Sequence, residues 1–196
     1  MRADLEIIQK WIEPGSRVLD LGCGDGILLS HLKKNKQVFD CGLEIDEDYI
    51  NQCLRAGVNV IQQDIDKGLA NFGSGSFDTV LLTQTLQAVQ KPDLLVEEML
   101  RIGKRCIITF PNFAYWRYRF YLLLKGRMPV SSYLPYEWYD TPNIHFCTIR
   151  DFDVMCEAKK IRVLNRTVVD LDQRTSTLMN LNPNLFGINA IYHISR

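Results

Sequence analysis

The stretch from Arg17 to Gly26, RVLDLGCGDG, does most to narrow what this chain can fold into. A short apolar run ends at an acidic residue. Three glycines follow at alternate positions, and Ile27-Leu28-Leu29-Ser30-His31-Leu32 then takes up a helical pattern. The order is strand, tight turn, helix. Glycine lets the backbone bend sharply or approach a ligand, and a helix N-terminus offers unpaired N–H groups at that point. The spacing departs from the Gly-x-Gly-x-x-Gly of dinucleotide sites, because Ile27 stands where the third glycine would be. The chain carries Asp20-x-Gly22-x-Gly24-x-Gly26 instead.

The rest of the chain repeats this unit. Leu5, Ile8, Trp11 and Ile12 share a helix face over 4–12, which Pro14-Gly15 stops. Arg17–Leu21 reads as a central parallel strand, because its apolar run is continuous. Strands follow at Val38–Glu44, Val58–Gln62, Phe77–Leu82 and Arg105–Phe110, separated by helices over 48–56 and 92–103. Thr148 to Ala158 reads as a helix with Thr148 as N-cap and Asp151 as its capping-box partner. A strand over 161–169, a turn-rich loop over 180–184 and a last, antiparallel strand over 186–194 complete the sheet. The expectation is one α/β domain over 1–196: a doubly wound, mostly parallel, seven-stranded Rossmann-like sheet with ligands at its strands' carboxyl ends.

Polar residues fall at those ends. Glu44 closes strand two, and a carboxylate there has acceptors for both ribose hydroxyls of a nucleoside. Asp46, Glu47 and Asp48 read as solvated acids that also suit a helix N-terminus. Asp64 and Ile65 follow strand three, with Asp66 competing for the polar role as a helix N-cap. Thr83 to Ala88 follows strand four and by position lies beside a ligand bound there.

Glycine loop, Glu44, Asp64 and the Phe77-Asp78 start of strand four together resemble class I S-adenosylmethionine-dependent methyltransferases. The resemblance covers residues 1 to 110. It implies that Asp20, Gly22, Cys23, Gly24 and Gly26 hold the amino-acid end of S-adenosylmethionine or S-adenosylhomocysteine, with Asp20 at the ammonium. It implies Glu44 at the ribose with Ile45 beside it, Asp64 and Ile65 at the adenine, and Thr83 along the same ligand.

Composition excludes several classes. Lys+Arg and Asp+Glu are each 23, so no global field favours nucleic acid or an acidic membrane. No apolar run approaches the ~20 residues of a membrane span, and the N-terminus lacks a signal-peptide pattern. Six cysteines without C-x-x-C spacing read as free thiols, and no metal site is expected from them or from the three histidines. The expected location is the cytoplasm.

Residues 110 to 146 hold 12 of the 20 aromatics. A helix over 112–124 would place Phe113, Trp116, Phe120 and Leu124 on one face. Three readings stand: a core helix with a covering loop, an interaction surface of aromatics and arginines, or a nucleic-acid platform, which the neutral charge disfavours. Thr141 to His145 reads as an ordered loop able to close over a ligand, with His145 as base or structural hydrogen-bonder.

This segment, with Tyr136-Glu137-Trp138-Tyr139-Asp140-Thr141-Pro142-Asn143-Ile144-His145 and the following Phe146-Cys147-Thr148, resembles the MetW family of methionine biosynthesis proteins over nearly the whole chain. That resemblance implies a partner, homoserine O-acyltransferase. The hypothesis built on it has the partner dock through the aromatic segment and respond to a nucleoside bound at the strand ends. The alternative is an active methyltransferase on a small molecule, with Thr83, Gln84 and His145 nearest the methyl group. Catalytic residues stay unassigned. An acyltransferase in its own right is not supported, because no Gly-x-Ser-x-Gly occurs.

Overall fold

The computed structural model describes residues 3–131, 134–170 and 174–196. Its elements are α1 (Ala3–Lys10), β1 (Arg17–Leu21), α2 (Ile27–Lys36), β2 (Phe39–Glu44), α3 (Glu47–Arg55), β3 (Val60–Gln62), β4 (Phe77–Thr83), α4 (Pro92–Ile102) and β5 (Gly103–Pro111). The chain continues through α5 (Trp116–Lys125), α6 (Ile149–Ala158), β6 (Arg162–Val169), α7 (Thr177–Leu181), α8 (Pro183–Phe186) and β7 (Asn189–Ser195). Short 3-10 turns at Ile65–Lys67 and Leu86–Ala88 follow β3 and β4.

The seven strands form one sheet in the order β3-β2-β1-β4-β5-β7-β6. The first five are mutually parallel, and β7 runs antiparallel to both β5 and β6. This is the expected α/β, doubly wound, mostly parallel architecture with an antiparallel last strand. Order reverses between β1 and β4, so a crevice opens outside their carboxyl ends.

Alternation along the strands builds two cores, because successive side chains point to opposite faces. Val18, Leu81 and Ile107 pack with Ile8 of α1, Leu29 of α2 and Cys53 of α3. Leu19, Val80 and Ile108 pack on the other face with Met99 of α4 and Phe152 of α6. Two local expectations are met closely. Thr148 and Asp151 form a reciprocal capping box at α6, and Pro92 sits at the first position of α4.

Elsewhere the chain departs from the sequence pattern. The second and third strands begin later than expected, at Phe39 and Val60. The 180–184 stretch is built from the ends of α7 and α8 rather than an open loop. The largest difference is in the aromatic segment. Its helix starts at Trp116 rather than Asn112, because the fully buried Asn112 side chain pins a turn. Asn112 Nδ2 donates to Gly187 O at 2.8 Å and Asn184 O at 3.1 Å, and its Oδ1 accepts from the Ala114 N–H at 3.1 Å. Such side-chain bonds compete with helix formation. The buried side is also not the expected one. Tyr115 and Tyr118 pack with Leu134 and Ile188, while Phe120 and Leu124 are exposed.

Candidate functional site

The glycine loop bends back onto β2. Gly22 and Cys23 donate their N–H groups to Leu43 O at 2.8 and 3.0 Å. Gly22 has φ +71, and a Cβ there would stand 3.0 Å from Thr85 Oγ1, so glycine is what lets the loop and the segment after β4 approach. Gly26 has φ +73 as it opens α2, and a Cβ there would lie 2.8 Å from Cys53 Sγ.

Glu44 organises the loop. Its Oε2 accepts from the Gly24 N–H at 2.8 Å, and its Oε1 accepts from the Ile45 and Asp46 N–H groups at 2.7 and 3.0 Å. A carboxylate has about four acceptor sites, so the side chain is committed largely to shaping its surroundings. Asp46, expected as a solvated acid, caps α3 by accepting from the Asp48 and Tyr49 N–H groups at 2.8 and 3.2 Å.

Asp20 is the opposite case. It is 1% exposed, and its Oδ1 has no hydrogen-bond partner. Burial, with the Glu44 carboxylate nearby, pushes its pKa up to about 8. A lone carboxyl held in a dry site avoids ionising unless a cation arrives. The arrangement is therefore complementary to a positively charged group.

Of the two aspartates after β3, Asp66 does not take the capping role expected of it. Asp64, rather than Asp66, caps the 3-10 turn, accepting from the Asp66 N–H at 3.0 Å. Asp66 instead accepts from the Gln90 N–H at 2.9 Å and so ties this turn to the segment after β4. Gln84 adopts φ +57 and donates through Nε2 to Thr109 Oγ1 at 3.0 Å and Asn189 Oδ1 at 2.8 Å.

These parts enclose a cavity of about 940 Å³ at the carboxyl ends of the parallel strands, within the roughly 300–1,000 Å³ typical of small-molecule sites. Asp20, Gly22, Cys23 and Gly24 line it at one end, and Glu44, Ile45, Asp64, Ile65 and Thr83 continue the wall. Gly26 does not line it and acts behind the loop, against Cys53. Gln84 lines the cavity and His145 does not. His145 Nε2 lies 3.3 Å from Gln90 O, and the Ile144 and His145 N–H groups donate to Gln87 O at 2.9 and 3.0 Å. The histidine holds its loop in place, and Pro142 of that loop reaches the cavity wall.

Sequence reasoning missed Leu5, Ile27, Tyr49 and Gln63 as lining residues, whereas Thr85 falls in the expected 83–88 segment. Tyr49 carried a usable signal, an aromatic in the first turn after the Glu44 strand end. Leu5 carried none, because α1 reaches the cavity only through tertiary packing. Cys23 Sγ and Cys53 Sγ stand 3.7 Å apart, in hydrogen-bond contact but not joined as a disulfide, and all six cysteines are free thiols. Among the described residues no cluster of three or more His, Cys, Asp or Glu could hold a metal ion, and no helix is long and apolar enough to cross a membrane.

Comparison with known proteins agrees with this geometry. The family model described as methionine biosynthesis protein MetW matches residues 2–194. A curated relative, the bifunctional methionine biosynthesis protein MetXA/MetW of Rhodopirellula baltica, is 33% identical over 205 residues, covering 100% of this chain. The chain spans only 33% of that relative's length. Among solved structures, an S-adenosylmethionine-dependent methyltransferase from Mesorhizobium loti superimposes with TM-score 0.70 at 18% identity, covering 99% of this chain and 96% of that one. One from Archaeoglobus fulgidus gives TM-score 0.69 at 17% identity, covering 100% and 92%. At these identities the likeness concerns the fold.

Proposed function

From the premise that the chain belongs to the MetW family of methionine biosynthesis proteins, we propose that it is an S-adenosylmethionine-binding subunit that partners a homoserine O-acyltransferase. The observation that carries the ligand is Asp20, a buried carboxyl with an unpartnered oxygen at the cavity wall. The amino-acid end of S-adenosylmethionine brings an ammonium to such a group. Glu44 and Tyr49 suit the ribose end, and Asp64 and Ile65 the adenine. Bound S-adenosylmethionine would supply an electrophilic methyl on a sulfonium. The chain's own residues bind and orient it. The partner is supported by the family and by the Rhodopirellula relative, which joins MetXA and MetW in one chain.

Arrival of the ammonium favours the ionised form of Asp20, so binding near pH 7 releases close to one proton. Calorimetric titration with S-adenosylmethionine and S-adenosylhomocysteine in buffers of different ionisation enthalpy reads this directly. Micromolar binding with buffer-dependent heat, lost in Asp20→Asn and in Glu44→Ala, supports the site. A folded wild type that binds neither compound refutes it. The partner is tested separately, by homoserine acylation with and without this protein. An unchanged acylation rate refutes the accessory role, and methyl transfer from labelled S-adenosylmethionine to a small metabolite would establish the methyltransferase reading instead.

A further inference from the structure

Helix α5 is unusual for a short helix at the edge of a folded unit. A helix normally turns its apolar stripe inward. Here Leu123 and Leu124 are 78% and 75% exposed, and Phe120 is 55% exposed. Only Tyr118 of the ten residues is buried. The chain then turns at Gly126 and returns, so that Met128 and Pro129 form one bank of a shallow groove. Tyr136, Trp138 and Phe146 form the other, and Trp138 is 72% exposed. Phe146 packs against Phe113 with ring centroids 4.4 Å apart and the rings tilted by 55°, and both line the groove. Exposed apolar surface of this extent marks an interaction site. Trp, Tyr and Arg are the residues that carry interface energy.

Charge and family narrow the occupant. Helix α5 and the turn after it carry Arg117, Arg119, Lys125 and Arg127 and no acidic residue, and Glu137 is the one acid that lines the groove beside them. Two copies meeting through the α5 side of this face would oppose like charges. A partner with an apolar patch rimmed by carboxylates fits it. In the Rhodopirellula relative a counterpart of this whole chain occupies a third of a longer protein. Such covalent linkage gives a weak surface a high effective concentration of its partner.

Resting on the partnership above, we propose that the outer face of α5 and the groove lined by Met128, Pro129, Tyr136, Trp138 and Phe146 are the seat of the homoserine O-acyltransferase, which presents apolar side chains with an acidic rim. The groove shares its loop with the ligand cavity, because Pro142 walls the cavity while Trp138, Thr141 and Asn143 line the groove.

The test is sedimentation and calorimetric binding of this full chain to the homoserine O-acyltransferase of the same organism. The variants are Leu123→Asp/Leu124→Asp, Trp138→Ala, Lys125→Glu/Arg127→Glu, and Phe39→Asp as control. Phe39 is 69% exposed and begins β2, at the far end of the sheet. The aspartate pair should weaken Kd about thirtyfold or more, with S-adenosylmethionine binding and thermal unfolding kept. The charge reversal should weaken it most at low salt, and Phe39→Asp should leave it unchanged. Wild-type binding that all three face variants retain overturns the location while the partnership stands. No wild-type binding overturns both. A wild-type dimer abolished by the aspartate pair, or wild-type binding to phosphatidylglycerol vesicles lost in it, would assign the face to a second copy or to a membrane and overturn the proposal.

Discussion

At the amino ends of the strands, Asp78 of β4 accepts from Lys104 Nζ at 2.7 Å and from the Arg17 N–H at 2.9 Å. At the carboxyl end of β1, Asp20 keeps an oxygen with no partner at all. The hydrogen bond from Lys104, then that from the Arg17 backbone, holds the Asp78 carboxyl well below the usual range. Burial, then the Glu44 charge, pushes Asp20 up to about 8. One carboxylate is completed by the fold and ties three strands together. The other is left for something the fold does not contain. The contrast separates a structural acid from a binding acid without reference to any relative.

The largest expected effect falls on Asp20. Asp20→Asn should weaken S-adenosylmethionine binding about a hundredfold, since a hydrogen-bonded charge is worth roughly 1.5–3 kcal/mol, as calorimetry would show. The same variant tests the pH dependence. Because the folded-state pKa of Asp20 is raised, its stabilising contribution is complete below about pH 4 and is lost as pH rises towards about 8. Ligand-free wild type should therefore lose on the order of a few kcal/mol over that interval, and Asp20→Asn should not. Urea titrations at several pH values decide this.

A second substitution probes the neighbour. Glu44→Gln removes the smaller of the two causes, so the loss of stability with rising pH should be smaller and should finish at a lower pH, still above the ordinary aspartate range. If the midpoint does not move, the two carboxyls do not interact. Gly26→Ala addresses the scaffold behind the loop. A positive φ and a Cβ 2.8 Å from Cys53 Sγ should lower stability by about 2 kcal/mol, read from thermal unfolding.

The smallest effect belongs to the opposite end. Asp78→Asn should reduce stability at pH 7 by about 1 kcal/mol, because its partners are partly exposed and screened. Its sign is opposite to that of Asp20. The contribution of Asp78 is present above about pH 4 and fades as pH falls below it. The variant should leave S-adenosylmethionine binding unchanged. A loss of binding would break the distinction between the two ends.

Local pattern made much of this legible. Glycine spacing, continuous apolar strands and the Thr148–Asp151 box are decided within a few residues, so they can be read directly. Glu44 was legible as a strand-end acid, but not its three backbone donors, which come from the returning glycine loop and from the turn ahead of α3. The cap falls to Asp64 rather than Asp66, because Asp66 is drawn off by the Gln90 N–H, which lies after the next strand. The aromatic segment misled for a similar reason. Periodicity over 112–124 pointed to a helix, but Asn112 meets carbonyls some 70 residues away and the helix starts at Trp116.

By itself the sequence determined the order of strands and helices, the glycine loop and the acids at the strand ends, because each follows from backbone sterics and side-chain alternation over short distances. Only the tertiary structure decided which acid is satisfied, which is stranded, and which apolar face stays in solvent. Those outcomes depend on how much water and how many donors distant segments leave around a side chain, and no local pattern encodes that count.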